Sequence, residues 1–112
     1  MTLANSNCAI PVTTQLTTSG ETTIVPAGAA GVYNQILRWQ FTNQSATAVT
    51  VTIKDSTGGT TKFVYDLAAN GGIVVCFPTP VAQSKAASNW TATLSAGSIT
   101  VDANVQYWQS NI

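Results

Sequence analysis

The side chains that could perform acid–base or nucleophilic chemistry are few in this chain of 112 residues, which has no histidine and two cysteines. Ser-His-Asp and Cys-His systems and the commonest zinc sites need histidine, so most hydrolases and most zinc proteins are excluded. The acids are scattered over Glu21, Asp55, Asp66 and Asp102. Asp66 and Asp102 could act as a glycosidase pair only if the fold brought them within about 10 Å. Surface and turn positions are the alternative, and we predict that the chain is not an enzyme.

No recognisable cofactor or modification motif is present. The segment that begins at Asp55, Asp-Ser-Thr-Gly-Gly, lacks the alternating ligands and closing Glu of a calcium loop, and no Gly-x-x-x-x-Gly-Lys phosphate motif occurs. We predict neither a metal nor a cofactor. Asn43-Gln-Ser45 and Asn89-Trp-Thr91 match the glycosylation triplet, but a Thr/Asn-rich chain contains such triplets by chance, and we expect both to be unmodified.

The composition is apolar and poor in charge. Hydrophobic residues make up 45% of the chain and charged residues only 7%, against about 25% charged in typical soluble domains. Four basic residues balance four acidic ones, so we expect no binding of nucleic acid and none of an anionic membrane surface. A surface with so little charge hardly opposes association, which favours a protein that works within an assembly. The alternative is a free Thr-rich β domain.

The N-terminal residues resemble neither a secretory signal nor a membrane span, because they contain no basic region and no continuous apolar stretch. We therefore expect a protein that stays in the cytoplasm of the cell that makes it, or leaves that cell by lysis or within a particle. Cys8 lies in a polar segment and Cys76 in an apolar one. This pair favours free thiols in a reducing compartment, with an intramolecular disulfide as the alternative.

The pattern of apolar residues predicts two regions, an extended N-terminal arm over residues 1–25 and a β domain over residues 26–112. The first twenty residues are rich in Thr, Ser and Asn and show no sustained period, which is typical of a segment that is ordered only by lying on something else. A short strand over residues 22–25 ends the arm. Proline and glycine between residues 26 and 31 then predict a loop.

Alternating segments follow the loop. Within residues 33–41, the pattern places Leu37, Trp39 and Phe41 on one face and Ile36, Arg38 and Gln40 on the other, and Trp39 is predicted to lie in the core. Residues 47–54 place Val49, Val51 and Ile53 inward, and a Gly-containing turn predicts a hairpin with residues 61–65. Later strands are predicted at residues 90–94 and 98–108, the last with five inward side chains: Ile99, Val101, Ala103, Val105 and Tyr107.

The stretch Phe63–Phe77 is predicted to be the centre of the fold. Two apolar runs flank Asn70-Gly71-Gly72, where glycine would supply the positive φ of a tight turn. The second run, Ile73–Phe77, is apolar at every position, so we expect it to be covered on both faces and to end at Pro78. Seven or eight strands with short turns and no helical period predict an antiparallel β-sandwich, most simply a jelly roll.

The segment from Tyr33 to Tyr107 resembles a small β-sandwich module of virion proteins from tailed bacteriophages. The similarity rests on the order of several motifs: Val-Thr-Ile-Lys-Asp at residues 51–55, Leu-Ala-Ala-Asn-Gly-Gly-Ile-Val-Val at 67–75, a Phe-x-x-Pro exit, and Thr-Ala-Thr-Leu-Ser-Ala-Gly-Ser-Ile-Thr-Val at 91–101. This resemblance implies a trimeric capsid decoration (cement) protein on the outer surface of the head, with the major capsid protein as its partner. The alternative that it implies is a tail or fibre component that binds a host surface receptor.

Six residues are predicted to lie at subunit or capsid interfaces. Three belong to the arm, which the resemblance implies reaches across subunit boundaries. Val74 and Cys76 lie on the second face of the apolar run, where they could meet a symmetry mate. Trp108 lies opposite the inward face of the last strand and is a candidate anchor, with packing inside its own subunit as the equal alternative. The three arm residues are Leu3, Ile10 and Leu16.

Overall fold

The computed structural model describes residues 9–110, so the first eight residues of the arm predicted over residues 1–25 lie outside this range. The described chain forms eight β-strands joined by turns. They are β1 (Ile10–Leu16), β2 (Thr22–Val25), β3 (Tyr33–Asn43), β4 (Val49–Lys54), β5 (Thr61–Leu67), β6 (Gly72–Val81), β7 (Trp90–Leu94) and β8 (Val101–Ser110).

The strands form two four-stranded sheets in which every pairing is antiparallel. Sheet I has the order β1-β8-β3-β6, and sheet II has the order β2-β7-β4-β5. Strands that follow one another along the chain mostly lie in opposite sheets, which is the double Greek-key arrangement of a jelly roll. The predicted antiparallel β-sandwich of seven or eight strands and the β4–β5 hairpin are confirmed.

Residues 10–25, which we assigned to the arm, form the first two strands of the sandwich. β1 pairs along its whole length with β8, from Ile10 opposite Tyr107 to Leu16 opposite Val101. Leu16 is only 1% exposed and belongs to the core. Thr14 is a polar residue at an inward position of β1, so the sequence of residues 10–16 shows no sustained apolar period of two.

The core lies between the inner faces of the two sheets. The inward positions predicted for β4 and for residues 99–107 are all buried, which confirms those assignments. Trp39 is fully buried, as predicted, and its ring lies 5.9 Å from that of Trp90 on the facing sheet. The centre of the sandwich is therefore aromatic, with aliphatic side chains from both sheets around it.

A β-bulge at Leu37 overturns part of the face assignment in β3. Ile36 pairs with Tyr107 and Arg38 with Gln106, so Leu37 is an extra residue in the ladder. An extra residue reverses the alternation at that point. Ile36 is consequently fully buried, and Leu37 is only half-buried. The prediction that Leu37 points inward and Ile36 outward was wrong, because it assumed an unbroken period of two.

β6 lies at the edge of sheet I and not at the centre of the fold. The prediction that both its faces are covered is also wrong within this chain. Its inward residues pack on the core, whereas Val74 is 54% exposed and Cys76 is also exposed. The strand also continues past Pro78 to Val81, which pairs with Ile36 after an irregularity. An edge position tolerates the prolines because one side of the strand has no partner to bond.

The chain crosses from sheet II to sheet I at the turn between β5 and β6. The positive φ of this turn belongs to Asn70 (φ 54°) and not to a glycine as predicted; asparagine tolerates this conformation better than most residues. Gly72 is needed for a different reason. A Cβ at Gly72 would lie 2.6 Å from the carbonyl oxygen of Phe41, so only glycine lets the two backbones approach here.

Candidate interaction surface

Two of the four carboxylates hold loops in place. Asp55, 2% exposed, accepts hydrogen bonds from the backbone N–H (2.9 Å) and hydroxyl of Ser84, and it lies 3.8 Å from the Lys62 ammonium group. Glu21 accepts from the Gly58 backbone N–H at 3.1 Å and from the Thr91 hydroxyl at 2.6 Å. Both carboxylates therefore tie a turn to a more distant part of the chain.

The other two carboxylates cannot share a catalytic site. Asp66 lies on the outer face of sheet II, where its carboxylate accepts a hydrogen bond from Thr50 at 2.8 Å. Asp102 lies on the outer face of sheet I, where the side-chain amides of Gln15 and Gln44 donate to it. Since the sheets of a sandwich pack about 10 Å apart and both side chains point outward, the structure does not bring this pair together.

Glu21 makes a pH-dependent contribution to stability. The Thr91 hydroxyl lowers its pKa below the ordinary value of 4.5, the Gly58 N–H and the charge of Lys54 act in the same direction, and desolvation opposes them. Because the pKa is lower in the folded state than in the unfolded state, this contribution is present above pH 4.5 and is lost as the pH falls through the folded pKa. The effect is modest because Glu21 is exposed.

We expect Glu21→Gln to lower the free energy of unfolding at pH 7 and to make progressively less difference to it below pH 4.5. Urea titrations of both proteins from pH 7 to pH 3 measure this difference. A constant difference across that range would contradict the assignment. Asp102→Asn serves as the control, because among residues 9–110 its carboxylate accepts hydrogen bonds only from the side-chain amides of Gln15 and Gln44.

The glycosylation triplets lie in structured positions. Asn43 is 1% exposed and donates to the backbone carbonyls of Thr47 and Ala68. Asn89 bonds Thr23 and Thr57 through its side chain, and Thr91 is 1% exposed. Each asparagine side-chain amide thus holds a loop in place through hydrogen bonds within the chain.

A buried polar cluster holds the long connection between β6 and β7. Gln83, 4% exposed, donates to the carbonyl oxygens of Ser88 (2.7 Å), Asp55 (3.1 Å) and Asn89 (3.2 Å), and it accepts from the backbone N–H of Asn34 at 2.9 Å. The sequence does not predict this cluster, because nothing in the pattern of a polar loop distinguishes a buried Gln from an exposed one.

The structure separates the predicted interface residues. Leu16 belongs to the core and cannot contact a partner, so this prediction is wrong. Ile10 is 36% exposed at the start of β1, and Leu3 lies outside the described residues. The other three, Val74, Cys76 and Trp108, all belong to the outer face of sheet I.

Arg38 lies among these three residues, and the sequence did not predict it to be an interface residue. It pairs with Cys76 on one side and with Gln106 on the other, so it faces outward from the middle of the sheet. Within residues 9–110, its guanidinium makes neither an ion pair nor a hydrogen bond. Trp108 is half-buried, and its indole N–H donates to Gln35 at 2.7 Å in the same subunit.

A second exposed apolar residue lies on the opposite face of the sandwich. Val64, on the outer face of β5, is 55% exposed, and Asp66 follows it on the same face. β5 and β6 are neighbouring edges, because the rings of Phe63 and Phe77 lie 5.6 Å apart across the gap. Val64 and Val74 are thus the most exposed large hydrophobic residues of the described chain, one on each outer face.

Residues 9–110 contain no group of three or more His, Cys, Asp or Glu side chains arranged to hold a metal ion. The same part of the chain has no helix with the length and hydropathy to cross a membrane.

No protein-family model and no curated protein sequence matches this chain. The chain is similar to a solved structure of Bacillus endospore appendages, which are described as a novel family of disulfide-linked pili. The two share 10% sequence identity and a TM-score of 0.50, and the match covers 100% of this chain and 97% of the other. At this identity the similarity shows a shared fold, and that fold is a small β-sandwich.

Proposed function

We propose that this chain is a non-enzymatic structural subunit that assembles with copies of itself. The observation that carries this proposal is the exposure of Val64 (55%) and Val74 (54%) on the outer faces of two adjacent edge strands. An uncharged edge strand such as Gly72–Phe77 is a surface on which further chains can add. The low charge of the chain supports the same conclusion, because little repulsion would oppose close packing of copies.

The more specific form of the proposal is a trimeric decoration protein on the outer surface of a bacteriophage head, bound to the major capsid protein. The similarity of residues 33–107 to virion modules supports it. Each trimer would contact several capsid subunits at once, and such multivalent binding would let modest individual contacts resist the pressure of the packaged genome.

Light scattering of the purified protein tests self-assembly, and co-sedimentation with expanded phage heads tests decoration. A trimer that coats heads is the expected result, and a monomer at micromolar concentration would overturn the proposal. The contribution of the N-terminus is tested by deleting residues 1–8 only. A longer deletion would remove β1 and the buried Leu16, so it would unfold the domain instead of testing an arm.

The similarity to a disulfide-linked pilus structure favours a second candidate, a subunit of a covalently linked filament. Cys76 has an exposed, free thiol on the edge strand β6, and the second cysteine, Cys8, precedes β1 in the sequence. For this function, oxidation should give a ladder of multimers on non-reducing gels. If Cys8 of one copy bonds Cys76 of the next, Cys8→Ser and Cys76→Ser should each stay monomeric on these gels. A mixture of the two variants should then give a dimer and nothing larger.

A further inference from the structure

Val64 and Val74 lie on opposite faces of the sandwich, and each has a charged residue beside it. Asp66 follows Val64 on the outer face of sheet II. Arg38 lies on the strand next to Val74 on the outer face of sheet I, two pairs away along the ladder. The two charges have opposite signs, so the patch of Val64 and Asp66 is complementary in charge to the patch of Val74 and Arg38, and both patches are partly apolar.

The other charges near these faces have partners within the described residues. Asp102, on the outer face of sheet I, accepts hydrogen bonds from the side-chain amides of Gln15 and Gln44. Lys62 lies beside Asp55, and Lys54 lies close enough to Glu21 to lower its pKa. In the described residues, Arg38 and Asp66 take part in no ion pair. Asp66 accepts a hydrogen bond only from the neutral hydroxyl of Thr50. The Arg38 guanidinium, half-buried and with five donors, is therefore suited to a carboxylate from another molecule.

The spacing of the two pairs also matches. Val64 and Asp66 are two residues apart on one strand, so their Cα atoms lie about 6.7 Å from each other. Arg38 and Val74 are diagonal neighbours on adjacent strands, which is about 7–8 Å. If β5 of a second copy lay along the line from Val74 to Arg38, it would cross β3 and β6 at about 35°, because neighbouring strands are about 4.8 Å apart. That angle is close to the about 30° at which aligned sheets pack.

We infer that the sheet II face of one copy docks on the sheet I face of the next, with Val64 on Val74 and Asp66 on Arg38. The occupant of each face is therefore a second copy of this chain. The contact uses two different surfaces, so it is heterologous, and repeated copies close into a ring or extend as a filament. This inference rests on the proposed self-assembling function and specifies the surfaces that perform it.

The test uses Val64→Asp and Val74→Asp, each of which disables one face and leaves the other intact. Both side chains are exposed, so both variants should fold, which circular dichroism checks. In a reducing buffer, each variant alone should be monomeric by light scattering, whereas a 1:1 mixture should form a dimer and nothing larger. Thr13→Asp, on the same face and in the same cross-strand row as Val74, should assemble like the unmodified chain.

The charge pair is tested separately. Arg38→Asp and Asp66→Arg should each raise the concentration needed for assembly at least tenfold, and the double variant should restore it. Asp102→Asn should change it less than twofold. Loss of assembly in Asp102→Asn would instead indicate a symmetric contact through the sheet I face and would overturn the inference.

Two outcomes separate the inference from the proposed function. If the unmodified chain assembles and both valine variants assemble equally well, the docking contact is wrong and self-assembly stands. If the unmodified chain is monomeric at every concentration tested, the proposed function fails and the contact fails with it. A mixture of the two valine variants that stays monomeric also overturns a heterologous contact.

Discussion

Replacing Trp39 with alanine should lower the free energy of unfolding by about 3–5 kcal/mol, as is usual for a fully buried tryptophan. Trp39 is 0% exposed, and its ring packs against five other aromatic rings from both sheets. The centroid distances to these rings range from 5.3 Å for Phe63 to 6.1 Å for Tyr65. Because domains of this size have a total stability of about 5–15 kcal/mol, this one substitution should remove much of it.

Urea unfolding followed by far-UV circular dichroism measures this loss. The indole N–H of Trp39 donates a hydrogen bond to the Tyr65 hydroxyl at 3.0 Å. Tyr65→Phe removes this hydrogen bond and keeps the packing of the two rings, so it measures the hydrogen bond alone. We expect Tyr65→Phe to cost about 1 kcal/mol, the usual value of one hydrogen bond. Lys85→Ala, at an exposed position in the loop after β6, should change stability by less than about 0.5 kcal/mol. A loss below 1 kcal/mol for Trp39→Ala would contradict its central place in the core.

The sequence predicted the fold wherever apolar and polar residues alternate without interruption. Val49, Val51 and Ile53 in β4 and the inward residues of β8 follow a strict period of two, because each strand has one face on the core and one in water. These strands, together with short turns and the lack of a helical period, were enough to predict a sandwich of seven or eight strands.

The errors arose where the local pattern depends on a distant partner. The bulge at Leu37 is defined by its pairing with β8 and β6, and the burial of Leu16 depends on β1 pairing with β8, more than eighty positions later in the chain. A single strand's sequence contains neither fact. The apolar run of β6 led to a wrong prediction for a different reason. An unbroken apolar run predicts a strand that is covered on both faces, whereas Val74 on the outer face of β6 is exposed within residues 9–110.

The candidate surface was predicted only in part. Val74 and Cys76 stood out as apolar residues that one core could not cover, and both are exposed. Val64 and Arg38 were not predicted, because each occupies an outward position of a strand in which inward and outward residues alternate as usual. They matter because neither side chain is covered or paired within residues 9–110. Whether a charge is paired depends on contacts across the sheet, which the linear sequence does not record.

Replacing Gln83 with leucine should lower the free energy of unfolding by about 3 kcal/mol. The two side chains are similar in size, so the cost comes from polar groups rather than from a cavity. Leucine would remove the acceptor for the Asn34 N–H and the donors to the carbonyls of Ser88, Asp55 and Asn89. Each buried group left without a partner costs about 1–3 kcal/mol, and water entering the loosened loop would recover part of that cost.

Urea unfolding gives the change in stability, and hydrogen exchange locates it. Backbone amides of residues 82–89 should exchange faster in Gln83→Leu, because Gln83 fastens this connection to β3 and to the turn after β4. Gln106→Leu makes the same chemical change on the outer face of β8, where the side chain is only half-buried, and should change stability by less than about 0.5 kcal/mol. Gln83→Glu keeps an acceptor and removes the donors, so it should be at least as destabilising as Gln83→Leu. If Gln83→Leu were as stable as the unmodified chain, the packing of the loop and not this amide would position the connection.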